Sequence, residues 1–236
     1  PTTRMAFCWY TNDRMTEGKV QLTPLADLSQ LSSAFDAASN VITVDATPTA
    51  TKKSRYAIGL SGIPEATGVS MATKYKYTSH KAIAEGLSPN TVYAYRVGTE
   101  GYWSEVAYFT TAPTNNPDAS EEFTFIYMTD SHIQDQKYVN TARVAATAAA
   151  LNTPEAKFCV FPGDFVETGS QGNAEWEWER WFEEAIRPVI KQMPIVPTDG
   201  NHDDSPNQNY SYHFNTDNQF KENAQVKPQF DGITYS

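Results

Sequence analysis

The second half of the chain alternates short apolar runs with segments of helical periodicity, and this order constrains the fold more than any other feature. Apolar runs at 123–129, 157–162 and 193–198 are separated by helical segments at 138–152 and 174–192. Strand–helix–strand order at this spacing implies parallel strands joined by right-handed crossovers. We therefore predict an α/β layered domain. The first run is too continuously apolar for an exposed edge, so we expect it to be a buried strand.

Apolar side chains recur at helical spacing in the second of these helical segments. We interpret this stripe as part of the core rather than as an aromatic platform for a ligand. It consists of Trp178, Trp181, Phe182, Ala185, Ile186 and Val189.

The first half of the chain contains short alternating runs rich in Thr, Tyr, Ser and Val, separated by turn-forming segments. Regular short strands without a long helix are typical of a β-sandwich. We assign this domain to residues 1–113. Pro, Asn, Asp and Ser are concentrated at 114–121, which we interpret as a linker. The α/β domain then occupies 122–236, giving an α+β two-domain fold.

Composition excludes several classes of partner. The 236 residues carry a net charge of -10. Because there is no Lys/Arg cluster, we exclude nucleic acid and anionic membrane surfaces as main partners. No run approaches the roughly 20 apolar residues of a membrane span. The two cysteines, Cys8 and Cys159, cannot form a disulfide framework, and we expect both to be buried free thiols.

Each apolar run of the second domain ends in side chains of metal-binding types. These lie at 130–132, 163–164 and 199–203. Each group taken alone is compatible with an ordinary turn, since Asp, Asn and Gly favour turns. The carboxyl ends of parallel strands meet at one edge of a sheet, where ligands bind. The three groups together therefore predict one shared site.

The residue types suit two cations. In extended backbone, positions i and i+2 project to the same side, so Asp130 and His132 are expected to reach one cation together. Asp164 can bridge two cations, and Asn201 offers the second a neutral amide oxygen. Carboxylate, imidazole and amide ligands suit Zn, Mn or Fe. Two such ions about 4 Å apart would bind both oxygens of an in-line phosphoryl displacement.

The remaining polar residues of the third group are candidates for catalysis. His202 has no second His nearby, so we expect it to contact substrate. We expect Asn201 to contact substrate as well, and Asp203 to orient His202. His213 is interpreted as a structural or substrate-rim residue. His80 belongs to the β-domain and is expected to be unrelated to the site.

The motifs Asp-x-His, Gly-Asp-x(4)-Gly and Gly-Asn-His-Asp together resemble those of the calcineurin-like metallophosphoesterase superfamily, over residues 122–204. The segments GLSPNTVYAYRVG and SEVAYFTTAP look like the closing strands of a fibronectin-III-like module, with Tyr93 as a tyrosine corner. This domain order is similar to that of purple acid phosphatases. The resemblance implies a metal-dependent phosphoric ester hydrolase, acid-phosphatase-like, with two metal ions, a metal-bound hydroxide and a phosphoester substrate.

The chain departs from the purple enzymes in two respects. Their Tyr ligand falls three residues after the bridging Asp, where this chain has Glu167, so the chain looks like the non-purple, His-containing bacterial branch. The family also requires three further His ligands, whereas only His213 follows the third motif. We therefore expect a truncated catalytic domain with little activity. The resemblance implies a secreted, periplasmic or cell-surface protein, although this chain has no signal peptide.

An alternative function is a surface binding module. In that case the β-sandwich recognises a glycan or a protein, and the α/β part is a degenerate, inactive scaffold. A reading frame that continues past Ser236 with a Gly-His-x-His segment would favour the hydrolase.

Overall fold

The protein is described here from a computed structural model. It describes two domains and leaves most of the predicted linker outside the described residues. The residues it describes are 2–12, 15–36, 38–50, 54–55, 74–75, 77–114, 122–167, 175–203 and 209–216.

The described part of the N-terminal domain consists of strands and one short 3-10 helix, at Leu28–Ser33. Its described strands are β1 (Arg4–Asn12), β2 (Lys19–Pro24), β3 (Ile42–Asp45), β4 (Thr47–Ala50), β5 (Ser54–Arg55), β6 (Lys74–Tyr75), β7 (Tyr77–Glu85), β8 (Val92–Thr99), β9 (Tyr102–Trp103) and β10 (Ala107–Thr110).

Two antiparallel sheets of this domain enclose a common core. One has the order β1-β7-β4, and the other the order β10-β8-β2-β3 with β9 paired to β8, while β5 and β6 pair separately. Phe7 of β1 packs edge-on against Phe109 of β10, with ring centroids 5.9 Å apart. The Tyr93 hydroxyl accepts a hydrogen bond from Ser88 N at 2.9 Å. This contact matches the expected tyrosine corner, and the prediction of an N-terminal β-rich domain is confirmed.

The second domain alternates strands and helices as predicted. Its elements are β11 (Ile126–Tyr127), α1 (Gln136–Asn152), β12 (Cys159–Pro162), α2 (Glu175–Arg180), α3 (Arg187–Ile190), β13 (Ile195–Thr198) and α4 (Asn209–His213). The three strands pair in parallel in the order β11-β12-β13. Ile126 lies opposite Cys159, which lies opposite Ile195. The α/β layered domain is therefore confirmed.

The two helical segments pack on the same core. Asp135 begins α1, because its carboxylate accepts hydrogen bonds from the Lys137 and Tyr138 amides. The second segment is not one helix as predicted: α2 and α3 are separated by a π-helical segment at Trp181–Ala185. The predicted apolar stripe nevertheless faces the core, with Phe182 only partly buried.

The expectation that the first apolar run is buried is wrong. β11 is the edge strand of the sheet, and Phe123, Phe125 and Tyr127 are exposed. Successive side chains of a strand point to opposite faces, so only Ile126 and Met128 of this run pack against the core. The exposed Phe125 ring stacks on the Phe158 ring, with centroids 5.4 Å apart.

The segment 209–216, which we call the docking segment, connects the second domain to β1 and β7. Nδ2 of Asn215 donates hydrogen bonds to the carbonyl oxygens of Phe7 and Ala82, both at 3.1 Å. Oγ of Ser79 donates to the Tyr212 carbonyl oxygen at 2.7 Å. Each bond joins residues more than 130 positions apart in sequence. The docking segment therefore fastens the two domains together.

Both cysteines are unpaired, as predicted, but only one is fully buried. Cys159 is buried and Cys8 is half-buried, since it lies in β1 beside the docking segment. Burial raises the pKa of the Cys8 thiol to about 11 and that of Cys159 to about 12. No helix among the described residues is both long enough and apolar enough to span a membrane.

Candidate metal centre

The loops after β11, β12 and β13 meet at the carboxyl edge of the sheet. The first and second loops are joined by backbone hydrogen bonds, from Asp130 N to Gly163 O at 3.3 Å and from His132 N to Asp164 O at 3.0 Å. The third loop is joined to the second by a hydrogen bond from His202 N to Oδ1 of Asp164, at 3.0 Å. The edge predicted from strand order is therefore where these polar residues lie.

Three of the four predicted metal ligands lie together. Nε2 of His132 is 3.6 Å from Oδ1 of Asp130 and 3.8 Å from Oδ2 of Asp164. One ligand atom from each of the three residues lies within 4.8 Å of the other two. The fourth, Asn201, is exposed in the third loop. Its role as a ligand stays a prediction.

The backbone of these ligands is not extended, contrary to the reason given for their convergence. Asp130, His132 and Asp164 have φ angles of 54°, 40° and 52°. Asp and His are enriched among the non-Gly residues that adopt the left-handed region. Such conformations cost on the order of 1–3 kcal/mol each and persist where the surroundings fix them. The side chains of Asp130 and His132 therefore converge through two left-handed residues rather than through a strand.

Two glycines allow the second and third loops to touch. A Cβ atom on Gly163 would lie 2.4 Å from Gly200 N. A Cβ atom on Gly200 would lie 2.2 Å from Oδ1 of Asp164 and 2.5 Å from its backbone N. Any side chain at either position would push Asp164 away from the third loop. The Gly of the motif that falls at position 169 lies outside the described residues.

Glu167 contacts both imidazoles of the site, which the sequence did not indicate. Its Oε2 atom is 2.9 Å from Nδ1 of His132. Its backbone oxygen is 2.9 Å from Nδ1 of His202. Both oxygens are acceptors, so each Nδ1 carries a proton, and in the neutral ring Nε2 keeps its lone pair. The spacing Gly-Asp-x-x-Glu was the only signal in the sequence, and it had been interpreted as a missing Tyr ligand.

The His202 side chain lies beside Glu167 and is about one third exposed. Its ring meets the His132 ring edge-on, with centroids 4.7 Å apart. The hydrogen bond to the Glu167 carbonyl raises the pKa of His202 above its ordinary value. Ligand atoms of His132, Glu167 and His202 lie within 4.8 Å of one another, so these residues form a second group with metal-ligand spacing.

Asp203 does not have the position that its predicted role requires. We expected it to orient the imidazole of His202, but its carboxylate binds backbone instead. Oδ1 accepts hydrogen bonds from Phe165 N at 3.0 Å and Val166 N at 3.3 Å, and Oδ2 accepts one from Gly200 N at 3.0 Å. Burial raises the pKa of Asp203 to about 7, while these N–H groups act in the opposite direction. Asp203 therefore holds the second and third loops together.

The other two histidines lie away from this centre. Nε2 of His213 is 3.3 Å from the Tyr77 hydroxyl and 3.4 Å from Oε2 of Glu175, in the buried contact between the two domains. His80 stacks on Trp9 within the β-sandwich, with ring centroids 5.3 Å apart. Both positions agree with the structural roles predicted for them.

The donor set of the first group fits a divalent metal ion. Two carboxylates and one imidazole are ligands that suit Zn, Mn or Fe. Asp130 is largely exposed, whereas His132 and Asp164 are mostly buried, so an ion there has open positions toward solvent. The second nitrogen of His132 is bound by a carboxylate, an arrangement that is typical of metal-ligating histidines.

The fold and this centre define a two-domain protein with a metallophosphoesterase-type α/β domain. Residues 1–111 match the family model "Purple acid Phosphatase, N-terminal domain", and residues 123–234 match "Calcineurin-like phosphoesterase". The chain thus consists of a purple-acid-phosphatase-type N-terminal domain followed by a calcineurin-like phosphoesterase domain. The resemblance noted from the motifs is confirmed.

A solved structure shares the fold at low sequence identity. Purple acid phosphatase PPD1 from yellow lupin (Lupinus luteus) seeds has a TM-score of 0.59 and 15% identity, over 85% of this chain and 33% of that chain. The structure of PhoD has a TM-score of 0.45 and 17% identity, over 96% of this chain and 40% of that chain. This chain therefore spans well under half of either protein. No curated protein matches it.

Proposed function

We propose that the chain carries the metal-binding half of a phosphoric ester hydrolase that uses two metal ions. The observation that carries the proposal is the group formed by Asp130, His132 and Asp164, whose ligand atoms lie within 4.8 Å of one another at the carboxyl edge of the sheet. The family of the α/β domain supports the same reaction class. When bound, the ions neutralise phosphate charge and supply hydroxide at neutral pH.

The residues of the chain divide between holding ions and handling the substrate. Asp130 and His132 would hold the first ion, Asp164 would contribute to both, and Asn201 would hold the second. Because Oδ1 of Asp164 also accepts the His202 amide, the bridging carboxylate fixes the loop that presents Asn201 and His202 to the phosphoryl group. Glu167 keeps the proton of His132 on Nδ1, so that Nε2 is available to an ion.

His202 is the proton donor to the leaving oxygen. Its Nδ1–H is bound to the Glu167 carbonyl, so the exchangeable proton is on Nε2. The raised pKa keeps the ring protonated closer to neutral pH, as a general acid requires. Asp203 acts only through the backbone of the loops. This role differs from the catalytic one that the motif predicts for Asp203.

The assembled ligand group favours this function over the alternative of a binding module with a degenerate scaffold. The substrate is a phosphorylated small molecule or other phosphoester. The family resemblance favours a secreted, periplasmic or cell-surface location and a bacterial source.

Cation titration of the 236-residue chain tests the proposal. Calorimetry with Zn²⁺ or Mn²⁺ should detect binding that Asp130→Asn abolishes. Asp45→Asn is the matched control, because Asp45 is equally a surface carboxylate but lies in the β-sandwich. Binding that is absent in the unaltered chain, or that survives Asp130→Asn unchanged, would contradict the proposed site.

A further inference from the structure

We propose that Trp181 is a positioning residue, which holds Asp130 and His132 in place through the hydroxyl of Ser131. The proposal rests on the metal-binding function above. Ser131 lies between the two ligands, and its Oγ accepts a hydrogen bond from Nε1 of Trp181 at 3.1 Å. The same Oγ lies 2.8 Å from the Phe165 carbonyl oxygen.

The direction of these hydrogen bonds is fixed by chemistry. An indole N–H can only donate and a carbonyl oxygen can only accept. The hydroxyl proton of Ser131 therefore points to Phe165, and its lone pair receives the proton of Trp181. The hydroxyl has one rotamer and one proton position that satisfy both partners. Trp181 thus sets the orientation of Ser131 as well as its location.

This orientation matters because the flanking backbone is strained. Asp130 and His132 both have positive φ angles, so the loop needs contacts that exclude a relaxed conformation. Ser131 supplies one by binding the carbonyl of Phe165, the residue that follows Asp164. The amide N–H of Phe165 is bound in turn by the Asp203 carboxylate. Side chains from the first and third loops therefore hold both backbone polar groups of one residue in the second.

Trp181 is itself firmly placed. It is fully buried, and its ring meets Phe161 and Phe165 edge-on, with centroids 5.3 and 4.9 Å away. It also begins the π-helical segment, where its carbonyl accepts the hydrogen bond from Ile186 N at 3.0 Å. Single π-helical turns inside helices are frequent at functional sites.

Packing alone does not fix Ser131. A cavity of about 270 Å³ lies between the sheet, α1 and the π-helical segment, and its lining includes Asp130, Ser131 and Trp181. Open space beside the loop means that side-chain contacts do not surround it on every side. The two hydrogen bonds of its hydroxyl, from the Trp181 indole and to the Phe165 carbonyl oxygen, therefore help to determine where Ser131 lies.

Trp178 provides a matched control in helix α2, which directly precedes Trp181. It is also fully buried, and no hydrogen-bond partner of its Nε1 is found in the described part of the chain. Trp181→Phe and Trp178→Phe remove the same atoms from the same core, but only the first removes a hydrogen bond. Any effect of lost core volume should therefore appear in both variants.

Hydrogen exchange of the metal-free chain is the first test. The amides of His132 and Ile133 donate to the second loop, at 3.0 and 3.2 Å. We expect Trp181→Phe to accelerate exchange at both amides and Trp178→Phe to leave it unchanged. Ser131→Ala should reproduce the Trp181→Phe effect, and the double variant should add nothing to it. Equal exchange in the two Trp variants would overturn the proposal, whether or not the chain binds metal.

Cation affinity, measured well below the melting temperature, is the second test. Loss of residues that orient ligands typically weakens metal affinity about 10–100-fold. We expect the lower end for Trp181→Phe with Zn²⁺, together with an altered visible spectrum of bound Co²⁺, and no change for Trp178→Phe. If the chain without substitutions binds neither Zn²⁺ nor Co²⁺, the proposed function is refuted. The hydrogen-exchange data alone then decide whether Trp181 positions the loop. Normal affinity in Trp181→Phe overturns the positioning of the ligands.

Discussion

Oε2 of Glu167 lies 2.9 Å from Nδ1 of His132, whereas the other ring nitrogen, Nε2, lies near the carboxylates of Asp130 and Asp164. A carboxylate in this position fixes the imidazole tautomer and makes Nε2 a stronger ligand. The position that carries Tyr in purple acid phosphatases therefore has a different use in this chain. We expect Glu167 to act on a bound cation through His132.

Substitution of Glu167 should weaken cation binding without disrupting the fold. We expect Glu167→Ala to reduce Zn²⁺ affinity about 10–100-fold, as for other residues that orient a metal-bound histidine. Glu167→Gln keeps an oxygen acceptor and should cost less. Calorimetric titration measures both, with the exposed Glu155→Gln as control. Affinities that rank Gln below Ala would contradict the tautomer argument.

Asp164→Asn should abolish phosphatase activity of the complete polypeptide and leave the fold nearly intact. The Asn side chain lacks the charge that would hold both ions. Its oxygen can still accept the hydrogen bond from His202 N, which in the unaltered protein goes to Oδ1 of Asp164 at 3.0 Å. Hydrolysis of p-nitrophenyl phosphate and metal content are the measurements. Activity within about tenfold of the unaltered protein, at normal metal content, would exclude the bridging role.

The 236-residue chain by itself should bind at most one cation weakly and release little or no phosphate. We expect Asp130, His132 and Asp164 to hold the first ion. Among the described residues the second ion would have Asp164 and Asn201, because Glu167 binds the imidazoles of His132 and His202. Water can complete a coordination shell but does not hold an ion against dilution. Titration with Zn²⁺ or Mn²⁺ gives the stoichiometry. Two tight sites per chain with metal-dependent phosphate release would show that other residues complete the second site.

The β-sandwich should lose stability in mild acid because of His80. Burial lowers the pKa of this side chain, so the unfolded chain binds the proton more readily than the folded one. Stability contributed by neutral His80 is present above about pH 6.5 and is lost as the pH falls toward the folded pKa. His80→Phe keeps a ring to stack on Trp9. Thermal melts from pH 7.5 to 5 should show a smaller decrease for this variant, and an equal decrease would assign the effect elsewhere.

The sequence was sufficient to predict which loops meet. Parallel order follows from alternating strands and helices, and it requires the residues after β11, β12 and β13 to share one edge. The sequence did not predict the local geometry, because hydrophobic and polar patterns carry no φ angles. Asp130 and His132 were expected to converge along a strand, yet both adopt the left-handed region.

Side-chain partners were the other part that the sequence could not supply. Glu167, Ser131 and Trp181 make hydrogen bonds that join residues 34 to 50 positions apart. Asp203 has a motif position that suggested catalysis, but its burial commits it to backbone amides. The apolar run that contains β11 is predicted to be buried on both faces, because composition does not show which faces of a strand the core covers. Only the position of the strand in the sheet distinguishes the two cases.

The docking segment also imposes an order on folding during synthesis. Asn215 binds the carbonyl of Ala82, which leaves the ribosome 133 residues earlier. At about 5–20 residues per second, on the order of ten seconds separate the two. During that interval the β-sandwich can fold, but the carbonyls of Phe7 and Ala82 are without Asn215 and face water. The docking contacts on β1 and β7 can therefore form only after residues 209–216 have left the ribosome.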